Sequence, residues 1–302
     1  MKNFINYYYN FNIYDIYFKD GKYFFYNDKI RYMLKICENF NFDTYYPELK
    51  DQILKYRYFF EPIKNKDNSY ITWIDGKPYL LMKLSNIQDS KISIFDIKTN
   101  MYINNTNSTI NRFPWINLWE NKIDYFEELF YNKQSEYKKI LTLFNFYTGI
   151  AENALLYLKE SEIDQIKETS DNLVISHDRL TIDYNLYDYY DPINIIIDHP
   201  SRDVSEYIKS MFINDVWNLD IVRGYLKKHY FSQYGLRVMY ARTLFPSFFF
   251  DYIENMIEKK HDADLLYLEA RTQEFKNFIH EISTFFFEEY NIPVIQWITK
   301  KI

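Results

Sequence analysis

Three aspartates in the second half of the chain could support chemistry on a hydroxyl group. Asp178 follows a short apolar run, Asp183 comes five residues later, and Asp198 ends a second apolar run. A carboxylate can take the proton of an attacking hydroxyl, and further carboxylates can hold a magnesium ion. His177 precedes the first aspartate and Arg179 follows it. Because a cation cannot accept a proton, the choice between Asp178 and Arg179 decides what this loop can do.

The segment 198–203, Asp-His-Pro-Ser-Arg-Asp, also has a purely structural interpretation. Such a sequence is typical of a turn from a strand into a helix, in which Ser201 or Asp203 could cap the helix. Arg202 could pair with a buried carboxylate. His199 could be a hydrogen-bonded turn histidine, because the spacing matches no recognised metal pattern. We expect His199, Arg202 and Asp203 to form a structural turn.

The elements that must position these residues begin with short strands. Residues 1–84 contain β-rich runs and two hairpin signals, Asp20-Gly21 and Asp75-Gly76. The apolar spacing of residues 29–40 predicts a helix between them. The first part of the chain is therefore expected to be a small lobe built on a sheet.

The rest of the chain is different in character. Residues 85–115 are rich in Asn, Ser and Thr and predict a connecting segment, and residues 116–302 have helical apolar spacing. The clearest helix has an apolar face from Ile140 to Leu158, and its Gly149 indicates close packing. A hairpin-like insertion at 173–203 carries the aspartates. The order predicts an α+β protein with a small β-rich N-lobe and a larger helical C-lobe.

Composition excludes several classes of protein. The net charge of the 302 residues is −6 with no basic stripe, so nucleic acid is not an expected partner. We find neither a signal peptide nor an apolar run of membrane-spanning length, which predicts synthesis and retention in the cytoplasm. The single cysteine, Cys37, excludes a disulfide framework. Aromatic residues make up 21% of the chain, a bias that the codon usage of an AT-rich bacterium would produce.

Three segments carry a resemblance to a known family. They are FYTGIAENALLYL at 146–158, ISHDRL at 175–180 and IDHPSRDVSE at 197–206, and the stretches YLKKHY and ARTLFP further on also fit. The chain resembles the spore-coat branch of the aminoglycoside-phosphotransferase-like kinase families over nearly its whole length. The resemblance implies a two-lobed, protein-kinase-like fold, in which 173–203 holds the counterpart of the catalytic loop.

The same resemblance implies that much of the kinase chemistry is lost. Active members use a His-x-Asp-x-x-x-x-Asn loop, whose Asp serves the attacking hydroxyl and whose Asn and a later Asp hold magnesium. His177 matches the histidine, but Arg179 stands at the base and Tyr184 at the asparagine. Asp198 matches the metal-binding Asp and Asp203 a downstream structural Asp. Loss of general-base assistance costs roughly 10²–10⁴-fold in rate.

The small lobe also indicates a loss of kinase chemistry. An active kinase has a lysine in its third strand that pairs with nucleotide phosphates. We expect that strand at 23–26, Tyr-Phe-Phe-Tyr, which contains no lysine, while Lys83 lies nearer to a hinge. No Gly-x-Gly phosphate loop is present either, although families of this kind often lack it.

A shift of one residue gives a rival interpretation. Asp178 would then be the base, Asp183 would replace the metal-binding Asn, and Asp198 would complete the site, although the match at His177 would be broken. An active, ATP-dependent small-molecule phosphotransferase with magnesium would follow.

Our leading expectation is a catalytically impaired kinase-like protein, a pseudokinase. By resemblance it would be made in the mother cell and carried to the spore coat. Its partners would be other coat proteins, or a small-molecule ligand that it binds without turnover. An aromatic-rich structural coat component is a third interpretation.

Overall fold

The computed structural model describes residues 1–39, 41–104, 109–132, 138–259 and 264–299. Spatial proximity divides the chain into two compact units. Unit one comprises residues 1–92, 103–111 and 183–197, and unit two comprises residues 93–102, 112–182 and 198–302. Compared with the boundaries expected at residues 84 and 115, unit one also takes in part of the connecting segment and part of the insertion at 173–203. Both the predicted connecting segment and the predicted C-lobe include residues outside the described ranges.

Strands predominate in the first part of the chain and helices in the rest, as is typical of an α+β protein. The strands are β1 Ile16–Lys19, β2 Lys22–Asn27, β3 Ile30–Ile36, β4 Glu61–Ile63, β5 Ile71–Ile74, β6 Lys77–Lys83, β7 Val174–His177 and β8 Ile195–Asp198. The helices are α1 Lys2–Tyr9, α2 Phe42–Leu54, α3 Ile116–Asn132, α4 Leu141–Asp164, α5 Leu186–Tyr189, α6 Ser201–Ile213, α7 Leu219–Leu226, α8 Gln233–Leu244, α9 Ser247–Lys259, α10 Leu265–Tyr290 and α11 Gln296–Thr299. The predicted α+β class is confirmed.

Unit one is built on an antiparallel sheet of six strands. The order is β1-β2-β3-β6-β4, and β5 also pairs with β6. Two isolated bridges, Lys91 to Asn185 and Asn111 to Ile197, tie residues 103–111 and 183–197 to this unit. The segment that contains α5 is therefore part of the sheet unit, although it lies about 100 residues further along the chain.

Both predicted hairpins are confirmed. Asp20-Gly21 joins β1 to β2 and Asp75-Gly76 joins β5 to β6, and all four residues have positive φ between 49° and 75°. Glycine adopts positive φ without steric cost and aspartate tolerates it, which explains why this dipeptide closes a two-residue hairpin.

The helix predicted at residues 29–40 is wrong. Residues 30–36 form β3, which pairs with β2 on one side and β6 on the other. Met33 and Leu34 are both fully buried, so apolar side chains occupy both faces of the strand and imitate helical spacing. Phe40, the last residue of the predicted helix, lies outside the described residues.

One face of the sheet packs against the N-terminal helix. The buried side chains of this core are Ile5, Tyr9, Ile13, Phe25, Tyr32, Leu34, Ile74, Tyr79 and Leu81. Alternation along the strands sends the neighbouring residues, such as Met33, to the opposite face.

Unit two is helical and packed largely by aromatic rings. Tyr147 on α4 stacks on Phe249 with ring centroids 4.1 Å apart, and Phe130 on α3 stacks on Phe144 at 3.8 Å. The buried residues of α4 follow the predicted face, which is confirmed. Among the described residues, no helix combines the length and apolar character needed to cross a membrane.

Gly149 does not serve the close packing that we expected. A methyl group added there would meet no atom within 4 Å. Since glycine in a helix interior costs about 0.5–1 kcal/mol relative to alanine, Gly149→Ala should raise the free energy of unfolding by about that amount. Urea unfolding followed by circular dichroism measures the change.

Gly235 on α8 is the matched control for this prediction. A methyl group at Gly235 would lie 3.0 Å from Oδ1 of Asp171 and 3.3 Å from Oγ of Ser232. Crowding offsets any gain in helix propensity, so Gly235→Ala should not stabilise the protein. Equal stabilisation by both substitutions would contradict the prediction.

Candidate functional site

Asp198 ends β8, and its carboxylate is completely buried. Nε1 of Trp115 donates to both carboxylate oxygens, at 2.9 and 3.0 Å. The backbone N–H of His199 donates to Oδ1 at 2.6 Å, and Nη1 of Arg202 donates to Oδ2 at 2.5 Å. Three N–H groups therefore donate to this carboxylate, and the single N–H of Trp115 is shared between its two oxygens.

Arg202 joins the loop after β7 to this carboxylate. Its Nε donates to the backbone oxygen of His177 at 2.9 Å. Its Nη2 donates to the backbone oxygen of Asp178 at 2.5 Å and lies 3.3 Å from Oδ1 of the same residue. Burial acts to lower the pKa of Arg202, but the charges of Asp198 and Glu206 raise it, and the net pKa lies above its usual value. The guanidinium is therefore a permanent internal counter-ion for Asp198.

Asp203 holds the other side of the same loop. Its Oδ1 accepts the backbone N–H of His177 at 2.8 Å, and its Oδ2 lies 2.8 Å from Nδ1 of the His177 ring. The helix cap predicted at Ser201 or Asp203 is not formed, since Pro200 occupies the cap position of α6 without a side-chain hydrogen bond to the helix. The Asp203 side chain therefore fixes the loop after β7 and does not cap α6.

His199 lies in a second buried set of polar groups. Its Nδ1 lies 3.1 Å from the backbone N–H of Ser201, and its Nε2 lies 3.4 Å from Oδ1 of Asp171. Oγ of Ser232 donates to the same Asp171 oxygen at 2.6 Å. Burial acts to raise the pKa of Asp171, but the hydrogen bonds from His199 and Ser232 bring it below its usual value.

Arg179 is held by an acidic residue of α9. Its Nη1 and Nη2 lie 2.5 and 3.0 Å from the two carboxylate oxygens of Asp251. Nζ of Lys122 contacts the same carboxylate at 3.2 Å. The hydrogen bond to Asp251 is the main cause that raises the pKa of Arg179. Arg179, which stands at the predicted base position, is thus one partner of a partly exposed ion pair.

The three carboxylates of the rival interpretation have different environments. The Asp178 side chain is 73% exposed, while Asp198 is fully buried, and Arg202 contacts both. Asp183 belongs to unit one, where it forms an exposed ion pair with Lys91 at 3.2 Å. Tyr184 also belongs to unit one, and its backbone oxygen accepts the N–H of Ile92. The Arg202 guanidinium bridges the carboxylates of Asp178 and Asp198, while the Asp183 carboxylate pairs with Lys91.

A magnesium ion does not fit the donor set around Asp198. Magnesium requires oxygen ligands in near-octahedral geometry at 2.0–2.1 Å, whereas both oxygens of this carboxylate already accept protein N–H groups. Within the described ranges, no three His, Cys, Asp or Glu side chains come together as a metal site would need.

Sequence reasoning missed Lys35. The third strand of the sheet is residues 30–36, not 23–26, and it does carry a lysine. Nζ of Lys35 lies 2.7 Å from Oδ2 of Asp191, a carboxylate that is 1% exposed. Burial acts to lower the pKa of Lys35, but Asp191 raises it, and the net pKa is above its usual value. Counting the strands in order would have placed Lys35 on the third strand, but residues 29–40 had been predicted as a helix.

The sequence also did not reveal a buried charge cluster beside Arg202. Oε1 of Glu206 lies 2.8 Å from Nζ of Lys209 and 2.9 Å from Nε of Arg242. The Arg242 guanidinium lies over the Trp115 ring at 4.2 Å. Burial acts to raise the pKa of Glu206, but the three nearby cations lower it to about 2.

This lowered pKa predicts acid sensitivity. The unperturbed value is 4.5, so the stabilisation from Glu206 is complete above about pH 4.5 and is lost as the pH falls toward about 2. The difference corresponds to about 3 kcal/mol. The gap in unfolding free energy between the wild type and Glu206→Gln should be large at pH 7 and shrink by pH 3, as urea titrations would measure. A gap that is constant with pH would contradict the assignment.

Comparison with known proteins decides the family. The family model described as "Spore coat putative kinase YutH" matches residues 2–287. The chain belongs to this family. The predicted resemblance to the spore-coat branch is confirmed, and the segments at 146–158, 175–180 and 197–206 all lie inside the match.

A curated relative supports the assignment to the YutH family, and two solved structures share the fold. The "Endospore coat-associated protein YutH" of Bacillus subtilis (strain 168) is 25% identical over 210 residues, which are 62% of this chain and 61% of that protein. The match thus spans about three fifths of the relative's length. An aminoglycoside phosphotransferase from Alicyclobacillus acidocaldarius has a TM-score of 0.60 at 10% identity, covering 90% of this chain and 92% of its own. A spectinomycin phosphotransferase in complex with ADP and spectinomycin has a TM-score of 0.50 at 10% identity, with 93% and 92% covered. The predicted aminoglycoside phosphotransferase-like fold is confirmed.

Proposed function

We propose that this member of the YutH family is a kinase-fold component of the spore coat that does not transfer phosphate and acts by binding other coat proteins. The observation that carries the proposal is the environment of Asp198. Trp115, His199 and Arg202 already satisfy the carboxylate on which a magnesium-dependent transfer would depend. A kinase-like fold in which the Asp198 carboxylate already accepts protein hydrogen bonds favours a role in binding over one in phosphate transfer.

The electrostatics of Arg202 support the proposal. A divalent cation at Asp198 would stand next to a guanidinium that contacts the same carboxylate and is 7% exposed. Like charges in a buried region repel strongly because the effective dielectric constant is low. Metal entry would require Arg202 to leave its bonds to His177, Asp178 and Asp198.

The remaining catalytic parts are also engaged elsewhere. Arg179 pairs with Asp251, Lys35 pairs with the buried Asp191, and Asp178 lies at the surface with Arg202 nearby. A base, a metal ligand and a phosphate-binding lysine would all have to be rearranged before transfer could occur.

Isothermal titration calorimetry and a phosphate-release assay test the loss of transfer. We expect no magnesium-dependent ATP binding and no ATP hydrolysis by the wild type, with an active aminoglycoside phosphotransferase as positive control. Tight magnesium-dependent binding, with hydrolysis that Asp198→Ala abolishes, would refute the proposal and support the active transferase.

A second measurement tests the place of action. Mass spectrometry of fractionated spores from the source organism should recover the protein in the coat fraction. Recovery in the spore core would argue against a coat role even if the protein proved inactive.

A further inference from the structure

The sheet of unit one ends in an exposed edge at β1. Within the described ranges, β1 pairs only with β2 and lies at one end of the strand order. Three aromatic side chains along this edge, Tyr14, Tyr17 and Phe18, are 74%, 45% and 62% exposed. In the part of the chain that the structure describes, no backbone hydrogen bond joins residues 14–19 to a group outside the hairpin. An edge of this kind is a template for another strand.

The turn after β1 determines which backbone groups face outward. Asp20-Gly21 has φ values of 50° and 74°, as in a type I′ turn, so Lys19 before the turn is hydrogen-bonded to its partner on β2. Hydrogen-bonded and non-hydrogen-bonded pairs alternate along an antiparallel ladder. Tyr17 therefore bonds to β2, whereas the N–H and C=O groups of Ile16 and Phe18 point away from it.

The sequence around β1 is complementary to itself. Asp15 comes two residues before Tyr17, and Lys19 comes two residues after it. When two β1 strands pair antiparallel about a two-fold axis at Tyr17, Asp15 of each copy lies opposite Lys19 of the other, and directly opposed opposite charges stabilise a strand pair. The outward groups of Ile16 meet those of Phe18 in the second copy, which gives about four backbone hydrogen bonds.

Other registers lose this match. A shift of two residues keeps the outward groups facing one another, but in one direction it moves Lys19 opposite Ile13 and Asp15 opposite Tyr17. A lysine on a sheet edge normally keeps other strands away. Nζ of Lys19 lies 3.9 Å from the Asp20 carboxylate, and the two side chains are 71% and 80% exposed. Lys19 is thus accessible to a carboxylate of a second copy.

We propose that β1 is a self-association edge, at which two copies of this chain form an antiparallel strand pair centred on Tyr17. The partner is a second copy because the charges and the outward backbone groups of this strand both match the same strand reversed. The pair joins two six-stranded sheets into one continuous sheet. A single strand pair is a small interface, so we expect a dissociation constant on the order of 10 μM. The inference goes beyond the proposed function and holds whether or not the protein transfers phosphate.

Charge reversal tests the register. Lys19→Asp places carboxylates opposite one another and Asp15→Lys places ammonium groups opposite one another, so each should raise the dimer dissociation constant about tenfold in sedimentation equilibrium. The combined Asp15→Lys/Lys19→Asp variant should restore the dimer. Lys77→Asp makes the same charge change at an exposed position beside the other Asp-Gly turn and should have no effect. A combined variant that stays weak, or a wild type that is monomeric at about 300 μM, would overturn the proposal.

A cysteine at the two-fold axis gives a second test. Residues directly opposed in a non-hydrogen-bonded pair have Cα atoms roughly 4.5 Å apart, which a disulfide can bridge. Tyr17→Cys should therefore form a covalent dimer under mild oxidation, as non-reducing gel electrophoresis would measure. The native Cys37 is fully buried, so the wild type should not cross-link.

Tyr14→Cys is the matched control for the cross-link. Tyr14 is more exposed than Tyr17, but in the proposed register the two copies of residue 14 lie about 20 Å apart, on opposite sides of the axis. A disulfide cannot span that distance, so this variant should stay monomeric on the gel. Equal cross-linking by the two cysteine variants would show random collision and would overturn the proposed pairing.

Discussion

Replacement of Arg202 with methionine is expected to lower the free energy of unfolding by about 3–5 kcal/mol, the usual loss when one partner of a buried ion pair is removed. Methionine keeps much of the side-chain volume and removes the charge. It leaves the buried carboxylate of Asp198 with Trp115 and one backbone N–H as donors. Urea unfolding followed by circular dichroism would measure the change, and hydrogen exchange of peptides around residues 171–214 would locate it.

Arg179→Met is the matched control for this prediction. Both substitutions remove a guanidinium that contacts an aspartate. Arg179 lies in the loop after β7 and Arg202 contacts that loop, but the Arg179 side chain is 59% exposed. Exposed ion pairs contribute about 0–1 kcal/mol, so the control should lose little. Equal losses from the two variants would mean that Arg202 is not the internal counter-ion described here.

Loss of the ion pair between Lys35 and Asp191 is expected to have the second large effect. Their side chains are 16% and 1% exposed, and Lys35→Met or Asp191→Asn alone should cost about 3–5 kcal/mol, because each leaves its partner charged and poorly solvated. The double variant should lose less than the two single losses combined. A double-mutant cycle from urea titrations should give a coupling energy of about 1–3 kcal/mol.

Lys91 and Asp183 serve as the control pair in the same unit. Their side chains are 74% and 67% exposed, so Lys91→Met should change stability by no more than about 1 kcal/mol. A coupling energy near zero for Lys35 and Asp191 would show that the buried pair does not hold the segment around α5 to the sheet.

Local signals in the sequence were sufficient for part of the fold. Each Asp-Gly hairpin was predictable because two residues with positive φ determine the turn, whatever lies elsewhere in the chain. The buried face of α4 was predictable because its apolar period extends over more than five turns. β3 was not, since a strand buried on both faces owes its conformation to β2 and β6 and has no alternating pattern of its own.

The candidate site divides in the same way. His177, Asp198 and Asp203 were identifiable because they lie in short segments that resemble a known family. Trp115 is 83 residues from Asp198, and nothing local indicates that its indole donates to that carboxylate. Lys35 was hidden by the wrong assignment of its strand, and its partner Asp191 is 156 residues away. Contacts of this kind depend on tertiary packing, which sequence patterns do not specify.

The contacts of Asp198 with both Trp115 and Arg202 also limit which substitutions this sequence can accept. A substitution at Arg202 leaves the Trp115 indole in place and an anion without its counter-charge, whereas a substitution at Trp115 leaves a cavity where a fully buried aromatic ring was. Either substitution alone is expected to lower the free energy of unfolding. We therefore expect related sequences to keep residues 115, 198 and 202 together, while the surface positions 178 and 179 vary more freely.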